Sequence, residues 1–150
     1  MPSSPIKIRE LGHAVLYVRS LEVSSAFYRD LLGFPEITHS PGAAAFSGGR
    51  THHELLLIEV GGEKSARNFG NPGLYHLGFK IGETDDDLRT AKEALEAAHV
   101  TILGSADHAV THSLYVLDPD GNELEFYVDS SDEWKENPQV IMAPVKPLNI

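Results

Sequence analysis

Gly12-His13-Ala14-Val15-Leu16-Tyr17-Val18 near the start of the chain and Tyr75-His76-Leu77-Gly78-Phe79-Lys80-Ile81 in its middle are two forms of one segment, a histidine heading a short β-type run. Each run leads into an amphipathic helical stretch, residues 21–33 in the first case and 85–100 in the second. Strands are then predicted at residues 34–39, 43–46 and 51–60, and again at 100–103, 113–117 and 123–128. The order β-α-β-β-β therefore occurs twice, and the predicted class is α+β. Equivalent strands packed across a pseudo-twofold axis bring their leading histidines to one place, although the chain separates them by 63 residues (76 minus 13). Paired histidines of that kind are what a metal site needs.

The predicted organisation is one 150-residue domain with a first unit at about residues 8–60, a linker over 61–73, a second unit at about 74–128 and a tail over 129–150. The linker is rich in glycine and charge, a composition that resists packing. Ser20 is placed to cap the first helix and Gly33 to stop it, while Thr84 with Asp85, Asp86 and Asp87 puts a cap and negative charge at the start of the second. The tail carries Pro138, Pro144 and Pro147, so no regular element is expected in it beyond a short turn at residues 132–136. Its Trp134, Val140, Ile141 and Met142 are apolar enough to be expected against the domain or a second subunit.

Twelve Lys and Arg against 22 Asp and Glu give a field that repels polyanions, so nucleic acid is not an expected partner. There is no cysteine, which excludes disulfides, thiolate metal sites and thiol nucleophiles. Residues 1–10 are polar and no run approaches the ~20 apolar residues of a membrane span, so a soluble, cytoplasmic protein is expected, with no membrane partner.

A third chemical group accompanies the two histidines. In Asp118-Pro119-Asp120-Gly121-Asn122-Glu123-Leu124-Glu125-Phe126, a tight turn feeds a strand whose alternation puts Glu123, Glu125 and Tyr127 on one face and Leu124, Phe126 and Val128 on the other. A glutamate between leucine and phenylalanine is costly to bury without a partner, and a cation is such a partner. Glu123 shares the parity of Glu125 but lies beside the turn, where solvation is easy, so Glu125 is the expected ligand. Taken singly, His13 and His76 read as structural histidines; as a symmetric pair with Glu125 they read as metal ligands.

The tandem units, the two strand-leading histidines and the Asp-Pro-Asp-Gly-Asn-x-Leu-Glu ending resemble the vicinal oxygen chelate superfamily over about residues 8–128. That resemblance implies two units forming an open, cupped mixed β-barrel with helices outside and a divalent metal within. The superfamily includes glyoxalase I, fosfomycin-resistance thiol transferases, methylmalonyl-CoA epimerase and extradiol dioxygenases. The outer residues look most like catechol 2,3-dioxygenases: residues 48–55, with His52 and His53, are similar to their histidine-bearing segment, and residues 107–115 to their distal histidine and tyrosine segment. Tyr115 stands ten residues before Glu125, as in that family. The histidine spacing departs from the family's nine, with His108 seven and His112 three residues before Tyr115, so the intervening loop must differ.

The resemblance implies His13, His76 and Glu125 as a facial triad for iron(II), or manganese(II) or another divalent ion, leaving positions for a catecholate and dioxygen. It further implies that His53 hydrogen-bonds developing charge on oxygen, that His108 and Tyr115 manage substrate protons, and that the protein is a homodimer acting on a small aromatic molecule. His39 and His99 are expected at the surface, and His52 at the strand entrance. Two other readings remain open. A glyoxalase or thiol transferase predicts Glu54 at the metal and a basic pocket, for which only Arg50 and Arg67 are loop candidates. A metal-free ligand-sequestering protein of the bleomycin-resistance kind needs no convergent ligands. Strand parity puts His53 and Glu54 on opposite faces, and His53 is expected inward.

Overall fold

Leu16 and Val18 are buried while Val15 and Tyr17 are exposed, the period-two pattern of a strand with one covered face, and they lie in β1 (Ala14–Val18). The computed structural model describes residues 5–64 and 70–150. The chain divides into two compact units, Met1–Glu63 and Lys64–Ile150. In the first, β1 runs parallel to β4 (Leu55–Glu59), with Ala14 opposite Leu55. β3 (Ala43–Phe46) is antiparallel to β4, and β2 (Glu36–Ser40) to β3, giving the order β1-β4-β3-β2. The parallel pair requires a crossover, which a helix supplies.

That helix is not uniform. α1 (Leu21–Ser25) starts at Ser20, whose hydroxyl accepts from the Val23 N–H, but Ala26–Leu31 form a wider π-helical turn, with the Leu32 N–H donating to the Phe27 carbonyl. The single helix expected over residues 21–33 thus changes pitch. Within the wider turn the consecutive Phe27 and Tyr28 are both buried and packed edge to face, with Tyr28 beside Phe46. Gly33, at φ +68°, ends it in the left-handed conformation expected of that glycine.

The second unit repeats the plan. β5 (His76–Lys80) is parallel to β8 (Glu123–Asp129), with Leu77 opposite Leu124; β7 (Thr111–Leu117) is antiparallel to β8, and β6 (Ile102–Asp107) to β7. α2 (Asp85–Ala97) buries Leu88 and Leu95 against the face on which Leu114, Val116, Leu124 and Phe126 are also buried. Its amino end is a capping box in which Thr84 and Asp87 satisfy one another's backbone. Asp87 also accepts from the Glu83 N–H, and its side chain lies over Gly82, where a Cβ would sit 2.4 Å from the Asp87 Cβ. Only glycine fits there.

Two expectations need correction. Beyond the short turn expected at residues 132–136, present as a 3-10 turn at Glu133–Lys135, the tail has a second 3-10 turn at Pro138–Met142, and β9 (Lys146–Pro147) pairs with Ala106 and Asp107 at the edge of β6. Ser105 Oγ and Lys92 Nζ donate to the carbonyls of Leu148 and Ile150, tying the end of the chain to the second unit. Ile141 and Met142 nevertheless stay exposed and Trp134 is only partly covered. Glu123, expected to be solvated, is buried at 9% exposure. Of the predicted linker, residues 65–69 and hence Arg67 lie outside the described residues, as do residues 1–4 of the amino terminus. Among the described residues no helix is long and apolar enough to cross a membrane.

The β7–β8 hairpin is held by one buried carboxylate. Asp118 Oδ1 accepts from the N–H groups of Asp120 and Asn122 at 2.9 and 2.8 Å, and Oδ2 accepts from the Asn122 side chain at 2.8 Å. Asp118→Ala leaves those donors unpaired and is expected to cost about 2–3 kcal/mol. Urea unfolding of the variant checks this, and a loss below ~0.5 kcal/mol contradicts the assignment.

Candidate metal centre

Residues paired across a sheet share a face, so the pairs Gly78–Glu125, Tyr115–Glu125 and Ser113–Tyr127 put His76, Ser113, Tyr115 and Glu125 together on the face of the second sheet away from α2. The Glu125 carboxylate is the hub. Its Oε1 accepts from Ser113 Oγ at 2.6 Å and from the Tyr115 hydroxyl at 3.1 Å, and its Oε2 lies 3.0 Å from His76 Nε2. Since the single Tyr115 proton goes to Glu125, the 2.6 Å contact between Tyr115 and His108 Nε2 has the imidazole donating. Burial, then the neighbouring Glu125 charge, raises the Tyr115 pKa well above the ordinary tyrosine value, so this phenol stays protonated.

His108 reaches Tyr115 because the β6–β7 turn is tight. The His108 N–H donates to the Thr111 carbonyl, and Ala109 takes φ +68°, a left-handed conformation seldom adopted by alanine, with its N–H bonded to Asp107 Oδ1. His112 has the opposite parity on β7. Its Nδ1 lies 2.6 Å from Asp85 Oδ1 at the start of α2, with Asp107 Oδ1 3.9 Å from its Nε2. Of the two distal histidines it is therefore His108 that shares the face of Glu125.

The donor set fits a divalent ion. Two ligands about 2.1 Å from one ion and at right angles stand about 3.0 Å apart, the separation of His76 Nε2 and Glu125 Oε2. His76 Nδ1 is buried with no hydrogen-bond partner, and Nε2, the nitrogen facing Glu125, is the one placed to meet an ion. Ser113 and Tyr115, donating to the other carboxylate oxygen, fix its orientation.

In the first unit His13, exposed at the head of β1, has the His53 ring 4.3 Å and the His52 ring 5.7 Å from its own, centroid to centroid. Partial desolvation, then the nearby His13 and His52, lower the His53 pKa. β4 begins only at Leu55, so His53 and Glu54 lie in a bend where strand parity does not govern them. His53 turns to His13, and Glu54 turns to the 47–50 turn, where its Oε2 accepts from the Gly48 N–H at 2.7 Å and its Oε1 lies 3.8 Å from Arg50 Nε. Partial burial opposes the Glu54 charge, but hydrogen bonds from Ser47, Gly48 and Arg50 outweigh it and hold the carboxyl below its ordinary range.

The registers of the two parallel pairs expose an asymmetry. His13 leads β1 as His76 leads β5, but the position of Glu125 on β8 corresponds to Leu56 on β4, and Glu54 corresponds to Glu123. The first unit thus offers imidazoles and no carboxylate equivalent to Glu125. His39 and His99 are exposed, as expected. Ser113 was not anticipated as part of the site, although its parity with Tyr115, two residues on, was a usable signal.

Residues 10–126 match the model of the Glyoxalase/Bleomycin resistance protein/Dioxygenase superfamily, and the chain belongs to that superfamily. A catechol-2,3-dioxygenase of Bacillus subtilis (strain 168) is 31% identical over 119 residues, covering 79% of this chain and 41% of that protein. The metallothiol transferase FosB of Staphylococcus haemolyticus is 27% identical over 129 residues, covering 84% of this chain and 88% of the transferase. The chain therefore spans under half the length of the dioxygenase and most of the transferase. An integron cassette protein from the mobile metagenome of the Halifax Harbour sewage outfall, solved by crystallography, shares the fold with a TM-score of 0.63 at 26% identity, over 81% of this chain and 99% of its own.

Ser113→Ala is expected to weaken manganese(II) binding about 10–100-fold in calorimetric titration, with Ser113→Thr retaining most of the affinity. An unchanged affinity in the alanine variant contradicts the orienting role. For Tyr115, the ultraviolet difference between wild type and Tyr115→Phe is expected to titrate above the ~10 of a free tyrosine. Because the folded state holds this proton more tightly than the unfolded chain, Tyr115 contributes stability below pH ~10 that is lost as pH rises beyond it. A Tyr115 transition at or below 10 counts against its contact with Glu125.

Proposed function

We propose that this chain is a metal-dependent extradiol dioxygenase that opens the ring of a catechol, with His13, His76 and Glu125 as ligands to one divalent ion, iron(II) first and manganese(II) next. The observation that carries the reading is the chain His108–Tyr115–Glu125, in which the imidazole lies 2.6 Å from the phenol oxygen and the protonated phenol donates to the carboxylate at 3.1 Å. The bound ion would supply the place where catecholate and dioxygen meet and exchange electrons. The protein's own part is proton management. Tyr115, kept protonated, donates a hydrogen bond; His108, half-buried behind it, takes or returns the proton of a substrate hydroxyl. His53 donates a hydrogen bond toward negative charge developing on oxygen.

The absence of a carboxylate at Leu56 supports a three-ligand set that leaves room for two substrate oxygens and dioxygen, and speaks against a four-ligand glyoxalase-type site. The proposal includes a homodimer, as in relatives built from two units. A second reading, a thiol transferase on the same three ligands, draws support from the near-complete coverage of FosB. It needs cations for an anionic substrate. Arg50 is engaged, donating to the Gly12 carbonyl at 3.1 Å and lying 3.6 Å from Glu10 and 3.8 Å from Glu54.

Anaerobic reconstitution with iron(II), followed by catechol and air, is expected to give the yellow ring-fission product with the wild type and none with His76→Ala or Glu125→Gln. Stoichiometric metal uptake without colour overturns the dioxygenase in favour of the transferase, and no metal uptake leaves a metal-free ligand-binding protein.

A further inference from the structure

Two histidines of the first unit, the exposed His39 and His52, have no part in the ring-cleavage reading. His52 and His53 lie in the bend before β4 and His13 at the head of β1; each offers a ring nitrogen, and the three nitrogens lie within 4.8 Å of one another. Among the described residues no other group of three or more metal-binding side chains gathers this closely. His52 Nδ1 and His53 Nδ1 share a 2.7 Å hydrogen bond, and their ring centroids are 4.5 Å apart. His13 and His52 are exposed and His53 is half-exposed, so drawing the nitrogens to the ~3.4 Å spacing that three ligands 2.0–2.1 Å from a tetrahedral ion adopt needs side-chain rotation and no movement of backbone.

The surroundings admit a cation. Arg50, the nearby guanidinium, is balanced by Glu10 and Glu54, and Glu54 is bound to the Gly48 N–H and so does not complete the ligand set as a carboxylate. We propose that His13, His52 and His53 form a three-imidazole site, contained in the first unit, for copper(II), nickel(II) or zinc. Neutral imidazoles without a carboxylate suit these late first-row ions, with copper(II) the tightest of the series. His13 belongs to this set and to the ring-cleavage set, so an ion held here withdraws His13 from iron. That competition rests on the proposed function; the three-imidazole site does not.

The test uses the full chain carrying His76→Ala and Glu125→Ala, which removes the second unit's ligands and leaves all three histidines, titrated with copper(II) alone. Calorimetry is expected to show one equivalent bound, and electron paramagnetic resonance the nitrogen splitting of three imidazoles. Adding His52→Ala, or His52→Gln as an independent surface replacement, is expected to reduce the count to two nitrogens. Affinity should fall by more than the ~10–100-fold typical of losing an outer partner. Absence of copper uptake by the first variant, or an unchanged nitrogen pattern without His52, overturns the site. Failure of ring cleavage in the iron-loaded wild type, with the copper signal intact, sinks the dioxygenase reading alone.

Discussion

A half-buried negative charge on a central strand governs the second unit. Carboxylates leave water at a cost of several kcal/mol unless hydrogen-bonded or paired, and Glu125 obtains its partners from both neighbouring strands, His76 on β5 and Ser113 and Tyr115 on β7. That arrangement works in one register only. A slip of a single residue between β7 and β8 would turn Glu125 toward α2 and place Leu124 or Phe126 among polar groups. The turn closed by Asp118 and the alternation of Leu124, Phe126 and Val128 against the helix therefore hold the chemistry in place as much as they hold the fold.

Repetition of the unit distributes donors unevenly. Both copies lead their first strand with a histidine and run that strand parallel to their last one. Beyond that they diverge: the second keeps an acid at the centre of its last strand, while the first has Leu56 there and clusters imidazoles at its entrance. Relatives named for ring cleavage and for thiol transfer both align with this chain, which is why the fold alone does not name the chemistry.

Much of this was legible in the residues. Strict alternation along residues 123–128 and the histidine-led runs announce the strands, and the spacing of Tyr115 from Glu125 fits a hairpin that returns both to one face. Ser113, read as the first residue of a strand, was less visible as a site residue because its value comes from a carboxylate twelve residues away. The bend at His52 and His53 defeated a parity argument, since alternation applies only once β4 has begun at Leu55. Glu123 was read as solvated from its place beside a turn, yet it stands between His76 on β5 and Leu117 on β7 and is buried. The π-helical turn has no period of its own in so short a stretch, so residues 21–33 announce a helix but not its change of pitch at Ala26.

The tail's short β9 carries a consequence for how the molecule lives among other copies of itself. Without it the whole outer edge of β6, whose other side pairs with β7, would be open as a template on which a neighbouring chain could add a strand. Lys146 and Pro147 occupy part of that rim with a charge and with a residue that has no N–H to offer onward, and Ser105 fastens the chain just beyond them. Lys146 and Pro147 therefore blunt the Asp107 end of the sheet edge against strand addition, a protective task carried by a segment with no part in the chemistry proposed for Glu125.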